Sequence, residues 1–221
     1  MQAKEAKKSI DMIKKSICKI CRRAGEKLFL KGERCFSPKC SMVRRPYPPG
    51  QKRKRRKRPP SEYAKELMEK QKLKNWYNLG EKQFKNYVKK LLTKKGKMED
   101  APMLLVKSLE FRLDNIVFRM GLTLSRRKAR ALVSHSFFLV NGKAINIPSC
   151  QLKKGDIVSV KPQKLKKNII KEFEQLIKKH TTPDWLKLNK DKLEAEIIAV
   201  PTLEQVAPPV DILSIFEFYS R

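Results

Sequence analysis

Acidic side chains are scarce in this sequence: 22 Asp and Glu stand against 53 Lys and Arg, leaving a formal net charge of +31. That imbalance predicts a strongly acidic partner surface. Long apolar runs are missing as well. None approaches the roughly 20 residues that span a bilayer. The first 17 residues lack the apolar core of a signal peptide, so a soluble intracellular protein is expected. Cysteine is sparse at 5 residues, and with no secretory segment in view a disulfide framework is disfavoured. A catalytic module is also wanting. It would need roughly 100 residues or more with an acid or nucleophile in a pocket, and Ser134-His135 has no spaced carboxylate partner. What remains still supports a core: 221 residues, 40% of them hydrophobic, with 10 Phe and 2 Trp, are not a disordered polycation. The length fits one large domain or two small ones.

The charge is unevenly spread. Residues 1–60 hold 21 cations and 4 acids, 61–110 hold 12 and 7, 111–180 hold 16 and 4, and the last 41 residues hold 4 and 7. A surface that meets phosphate concentrates cations, whereas one that packs on protein does not, so the tail is expected to pack on protein. The densest block is Lys52-Arg53-Lys54-Arg55-Arg56-Lys57-Arg58, flanked by Pro46, Pro48, Pro49, Gly50, Pro59 and Pro60. The prolines predict an extended linker. A solvated or nuclear-localisation-like run is the alternative; its place between two structured segments favours nucleic acid, and no strongly amphipathic helix beside it favours a membrane.

Four cysteines cluster as C-x2-C-x13-C-x4-C: Cys18, Cys21, Cys35 and Cys40. Two close pairs separated by a short loop suit tetrahedral Zn2+, and four thiolates leave no open position for a catalytic water, so one structural ion is favoured over two disulfides or four unrelated thiols. Arg22, Arg23, Lys27, Lys31, Arg34 and Lys39 surround the cluster and would be held in one shape for RNA or DNA contact. Cys150 stands alone and reads as a small, partly buried side chain.

Further along, Ser61 is placed to cap a helix over 62–74, and a second helix is predicted over 81–92 after Gly80, with Phe84, Val88, Leu91 and Leu92 as a core stripe. Trp76 and Tyr77 between them suit core packing better than base stacking. Leu109, Leu113, Ile116, Val117 and Met120 follow helical spacing up to Gly121. Ser125 is placed to cap a helix to about His135 whose first turn carries Arg126, Arg127, Lys128 and Arg130, cations that oppose the helix dipole and would welcome a phosphate. An apolar strand, an Asn141-Gly142 turn and a returning strand follow, with another turn and strand over 152–160. His135 suits either a phosphate or base contact or a satisfied helix end.

These motifs carry a resemblance. LEFRLDNIVFRMG at 109–121, SRRKARALVSH at 125–135 and LVNGK at 139–143 resemble the RNA-binding domain named after bacterial-type small-subunit ribosomal protein four, a domain also found in pseudouridine synthases, tyrosyl-tRNA synthetases and heat-shock RNA-binding proteins. RPYPPGQ at 45–51, ELMEKQKLK at 66–74 with EKQFK at 81–85, and FEFYSR at 216–221 narrow it to the ribosomal protein family in its zinc-binding form, over about 18–221. Residues 1–17 are an extension the family does not require. Where the family has Gly-His after Ser-His this chain has Ser136-Phe137, and where it has His-Gly after Pro-Gly-Gln this chain has Lys52-Arg53.

The resemblance implies an α+β protein: a mostly helical body with an N-terminal zinc module and an inserted helix-hairpin RNA-binding domain with a small twisted β-sheet. It divides the chain into an extension and zinc module at 1–44, a linker and helical body at 45–105 completed by about 181–221, and the RNA-binding domain at 106–180. It implies a cytoplasmic ribosomal protein, with an organelle left open, although Glu5 and Asp11 weigh against a transit peptide. Such a protein binds small-subunit ribosomal RNA early in assembly, at a multi-helix junction of the 5′ domain. It touches small-subunit proteins five and three beside the channel where messenger RNA enters and contributes to translational accuracy, with no membrane and no small-molecule substrate. The candidate RNA contacts are Arg22, Arg23, Arg44, Arg45, Lys52, Arg53, Lys54, Arg55, Arg56, Arg58, Tyr63, Lys72, Lys74, Arg112, Arg119, Ser125, Arg126, Arg127, Lys128, Arg130, Ser134, His135, Asn141 and Lys143. An RNA-modifying enzyme borrowing the domain and a zinc-ribbon DNA-binding factor are the alternatives.

Overall fold

The computed structural model describes residues 17–51, 59–93, 100–164, 173, 175–177, 180–190 and 192–220. The extension at 1–16 and the basic run, with Lys52, Arg53, Lys54, Arg55, Arg56 and Arg58, lie outside the described residues. The chain combines helices with one antiparallel sheet.

The body is built from α1 (Glu62–Trp76), α2 (Glu81–Leu92) and α3 (Ala101–Glu110), closed by the short α6 (Leu203–Val206) and by α7 (Leu213–Ser220). The Ser61 hydroxyl caps α1 by accepting from Ala64 N at 3.3 Å. The α2 stripe of Phe84 and Val88 is fully buried, together with Leu73, Leu105, Leu109, Ile215 and Phe216. Helix α7 lies on α1 and α2. Truncating a side chain such as Phe84 to Ala in a core of this kind costs about 3–5 kcal/mol.

The second core belongs to α4 (Leu113–Arg119), α5 (Arg126–Ser134) and the sheet, in which β1 (Phe138–Val140), β2 (Lys143–Ala144), β3 (Ile157–Val160), β4 (Leu186–Asn189) and β5 (Glu194–Ile197) run in the order β2-β1-β3-β5-β4. Asn141 and Gly142 turn the first hairpin with φ of 49° and 78°, the left-handed backbone an Asn-Gly turn supplies. Ala129, Leu132 and Val133 of α5 pack inward on Ile116, Val117, Phe138 and Val158.

Two expectations are corrected. The apolar spacing around 109–120 does not form one helix: α3 ends at Glu110, and Arg112 takes an extended backbone that bridges to Gln151 before α4 begins. The body does not resume at about 181 either. β5 pairs with β3 and β4 pairs with β5, so 186–197 completes the sheet and only α6 and α7 return to the body.

Before α1, residues 17–24 are helical, and single helical turns follow at Glu33–Phe36 and Ser41–Arg44. Ile17, Cys21, Leu28 and Leu30 form a third small core, against which Trp76 also packs.

Candidate nucleic-acid interface

The basic arm and α5 are brought to one cleft. Lys31, Arg34, Ser125, Arg127 and Lys128 line a cavity of about 630 Å³ in which, among the described residues, Glu33 is the only acid. Arg127 and Arg130 also line an adjoining cavity of about 490 Å³ with Asn75 and Asn78 of the body. The arm reaches this position through Gly32, which has φ of 62° and would bring an added Cβ to 3.4 Å from Leu124 Cβ. Ser125 caps α5 by accepting from Lys128 N at 3.3 Å, so the helix start that faces the cleft is fixed. Lys128 and Ser134 are exposed on this side, Arg127 and Arg130 are half-buried, and His135 is exposed at the end of α5.

The cations are not all on the surface. Arg112, Arg119 and Arg126, expected to touch RNA directly, form a buried network between the two main cores. Glu110 is its hub. Its carboxylate accepts from Tyr77 Oη at 2.7 Å, Asn115 Nδ2 at 2.7 Å, and Arg119 Nε and Nη2 at 3.0 and 2.9 Å. Arg126 Nε donates to Asn115 Oδ1 at 2.8 Å, and its guanidinium lies 3.8 Å from the Trp76 ring centroid and 4.5 Å from that of Phe118. Burial works to raise the Glu110 pKa, but the Arg119 guanidinium overcomes it and holds the carboxyl below its usual range. Burial draws Arg126 down to about 10, with Glu110 pulling the other way, so Arg126 stays charged at neutral pH. Arg112 is 0% exposed, clamps Asp114 at 3.0 and 2.7 Å and donates to Tyr87 Oη at 2.9 Å. A guanidinium enclosed in this way cannot meet a phosphate without opening the core, so Arg112 and Arg126 hold the lobes together instead. Arg119 keeps some exposure, but its fork is committed to Glu110.

Other expected contacts are also engaged within the protein. Lys72 pairs with Glu69 at 2.9 Å and Glu26 at 3.3 Å, and Lys74 pairs with Glu81 at 2.9 Å. Tyr63 is exposed with its ring 5.5 Å from Phe218. Asn141 locks the hairpin by donating to Asp156 and accepting from Ile157 N, both at 2.9 Å, while neighbouring Lys143 stays exposed.

A second cationic cavity, of about 240 Å³, lies within the arm and is lined by Arg22, Arg34, Lys39, Ser41, Arg44 and Arg45. Arg22 Nε is held by Tyr47 O at 2.8 Å, and Arg23 is exposed nearby. Cys21, Cys35 and Cys40 are buried and Cys18 is half-buried. Burial pushes the Cys21 and Cys35 thiols up. Lys31 N points at Cys35 Sγ at 3.4 Å. The donor set therefore suits a soft divalent ion, although among the described residues no group of three or more His, Cys, Asp or Glu is arranged to hold one. No helix of the described residues is long and apolar enough to cross a membrane.

Residues 12–107 match the family model for the ribosomal protein S4/S9 N-terminal domain, and residues 111–158 match the S4 domain. The small ribosomal subunit protein uS4 of Solidesulfovibrio magneticus is 45% identical over 204 residues, covering 92% of this chain and 96% of the relative. The chain belongs to the uS4 family. The uS4 of Syntrophomonas wolfei is 44% identical over 206 residues, 93% of this chain and 97% of the relative, and that of Thermus thermophilus is 42% identical over 205 residues with the same coverage. In this uS4 chain the S4 match ends at 158, yet its sheet is finished by β4 and β5 well beyond it.

The carboxylates Glu110 and Asp114, which organise the interior, were missed by sequence reasoning. Their signal was available: acids are rare here, and these two sit within a cation-rich apolar motif where a buried Arg would need them.

Proposed function

We propose that this chain is a structural constituent of the small ribosomal subunit that binds ribosomal RNA and is not an enzyme. The observation that carries the reading is the 45% identity to a small ribosomal subunit protein over 92% of the chain. The cleft where the arm and α5 converge supplies the physics: Lys31, Arg34, Arg127 and Lys128 neutralise phosphates, release counterions and recognise RNA helices by shape. Binding energy spent on a rigid two-lobed surface is transferred to RNA folding.

The finer reading places it in the ribosome of the cytoplasm, bound early at a multi-helix junction of the 5′ domain. There the stretch 51–58 would face the channel where messenger RNA enters, and small-subunit proteins five and three would lie alongside, with a contribution to translational accuracy. One structural Zn2+ would be held by Cys18, Cys21, Cys35 and Cys40; the cysteine spacing and the placing of all four on the arm support it. Crosslinking within intact small subunits tests the placement: adducts to 5′-domain RNA and to proteins five and three are expected, and adducts confined to other RNA domains contradict it. Elemental analysis tests the metal, with one zinc per chain expected and its loss on Cys21→Ser; a zinc-free, fully folded chain contradicts it.

A further inference from the structure

We propose that the arm carries a nucleotide subsite that adjoins the α5 cleft and shares Arg34 with it: Phe36, backed by Phe29, stacks on one unpaired base, and the cationic cavity lined from the same turn takes the phosphate beside that base. The inference rests on the RNA-binding reading and adds a ligand chemistry to it.

Two large aromatic rings are presented to solvent on a strongly basic surface. Phe36 is 64% exposed and Phe29 37%, and their rings stack at 5.0 Å between centroids with 29° between planes. Phe29 has φ of 50°, a left-handed backbone that a non-glycine residue adopts only at an energetic cost. This cost is incurred in presenting a ring that the three cores do not use. The turn that carries Phe36 is firmly held. Cys35 N donates to Gly32 O at 2.7 Å, Ser37 Oγ to Arg34 O at 3.1 Å, and Cys40 N to Ser37 O at 3.0 Å. An aromatic face fixed in this manner loses little freedom when a base lies on it.

The same turn supplies Arg34 and Lys39 to the 240 Å³ cavity, which Arg22, Arg44 and Arg45 complete, and among the described residues no carboxylate lines it. A neighbouring cavity of about 520 Å³ shares Arg34, Lys39 and Arg44 and also contains Ser37 and Glu33. Charge complementarity therefore selects a phosphate group, and the ring carried between Arg34 and Ser37 on the same turn selects a planar aromatic base. A Watson–Crick-paired base hides its faces within the stack, so the occupant is an unpaired nucleotide from a loop, bulge or end.

The test uses the full chain and a folded 5′-domain transcript of small-subunit ribosomal RNA. Ultraviolet zero-length crosslinking followed by peptide mass analysis is expected to give a nucleotide adduct on the peptide containing Phe36. Phe36→Leu, which keeps apolar volume but not the ring, is expected to weaken binding by at least about fivefold, with the salt dependence unchanged, and Phe36→Trp to retain affinity. Arg44→Ala is expected to lower the slope of log affinity against log salt by about 0.9. If the wild-type chain prefers this RNA while Phe36→Leu binds equally well, or if Phe36 crosslinks in intact subunits only to protein, the subsite is overturned and the broader RNA reading survives. If the wild-type chain shows no preference at all, both fail. The exposure of Phe36 predicts an unchanged thermal melt for either variant, so a loss of binding reports on the ring.

Discussion

Glu110 shows how a strongly cationic protein can bury cations. Its carboxylate is 0% exposed and joins Arg119, Asn115 and Tyr77. Removing it leaves charge stranded in the interior, so Glu110→Ala is expected to cost about 3–5 kcal/mol in urea denaturation, far more than the alanine substitution of an exposed acid. Glu81 gives a pH prediction. Its partial burial works to raise its pKa, but hydrogen bonds from Lys70 at 2.6 Å and Lys74 at 2.9 Å overcome this and bring it down to about 2. A carboxyl depressed in the folded state contributes stability above its unfolded pKa of about 4.3 and loses that contribution as pH falls towards 2. Melts between pH 5 and 2.5 should therefore show a smaller acid-side decline in Glu81→Gln than in the wild-type chain. Glu81 is well exposed, which keeps the difference modest.

Among the elements, α5 divides its cations between two tasks. Arg126 faces inward to Asn115 and Trp76, while Arg127 and Lys128 line the cleft. The double substitution Arg127→Ala with Lys128→Ala should weaken RNA binding and reduce the salt slope by about 1–2, with the melting temperature nearly unchanged. Gly121 is a different kind of position. It ends α4 with φ of 78°, and an added Cβ would lie 2.5 Å from His180 Cγ, so Gly121→Ala should lower the melting temperature by several degrees, roughly 4–8 °C per kcal/mol in a domain-sized unit. Helices α1, α2 and α5 and the first hairpin were legible because caps, apolar spacing and Asn141-Gly142 are local signals. Arg112 was not, because an Arg in a basic motif reads as a surface cation until Asp114 and Tyr87 are seen to enclose it. β4 and β5 went unread although Leu186, Leu188, Ala195 and Ile197 alternate at the period of a strand. The short connection between them, residues 190–193, has no Gly or Asn-Gly to announce a hairpin, the other partner of β5 is the distant β3, where Val158 faces Ala195, and the acidic balance of the tail pointed to the body.

For the whole molecule, the charge excess divides into faces with different roles. The arm and the α5 lobe converge on one cationic cleft, whereas cations nearer the body are matched by Glu69, Glu81, Glu110 and Asp114 and so hold protein to protein. The buried network then fixes the α5 lobe on the body, and Trp76 of the body, which packs on the arm, also lies under Arg126, so arm and α5 lobe keep one arrangement that makes shape recognition workable. The direct test is a comparison of affinities for the folded 5′-domain junction RNA and for a generic RNA duplex of equal length, measured across a salt series. The two-lobed cleft predicts tighter binding to the junction that persists as salt rises. Equal affinities that fall together with salt would reduce the protein to a nonspecific polycation and contradict the account.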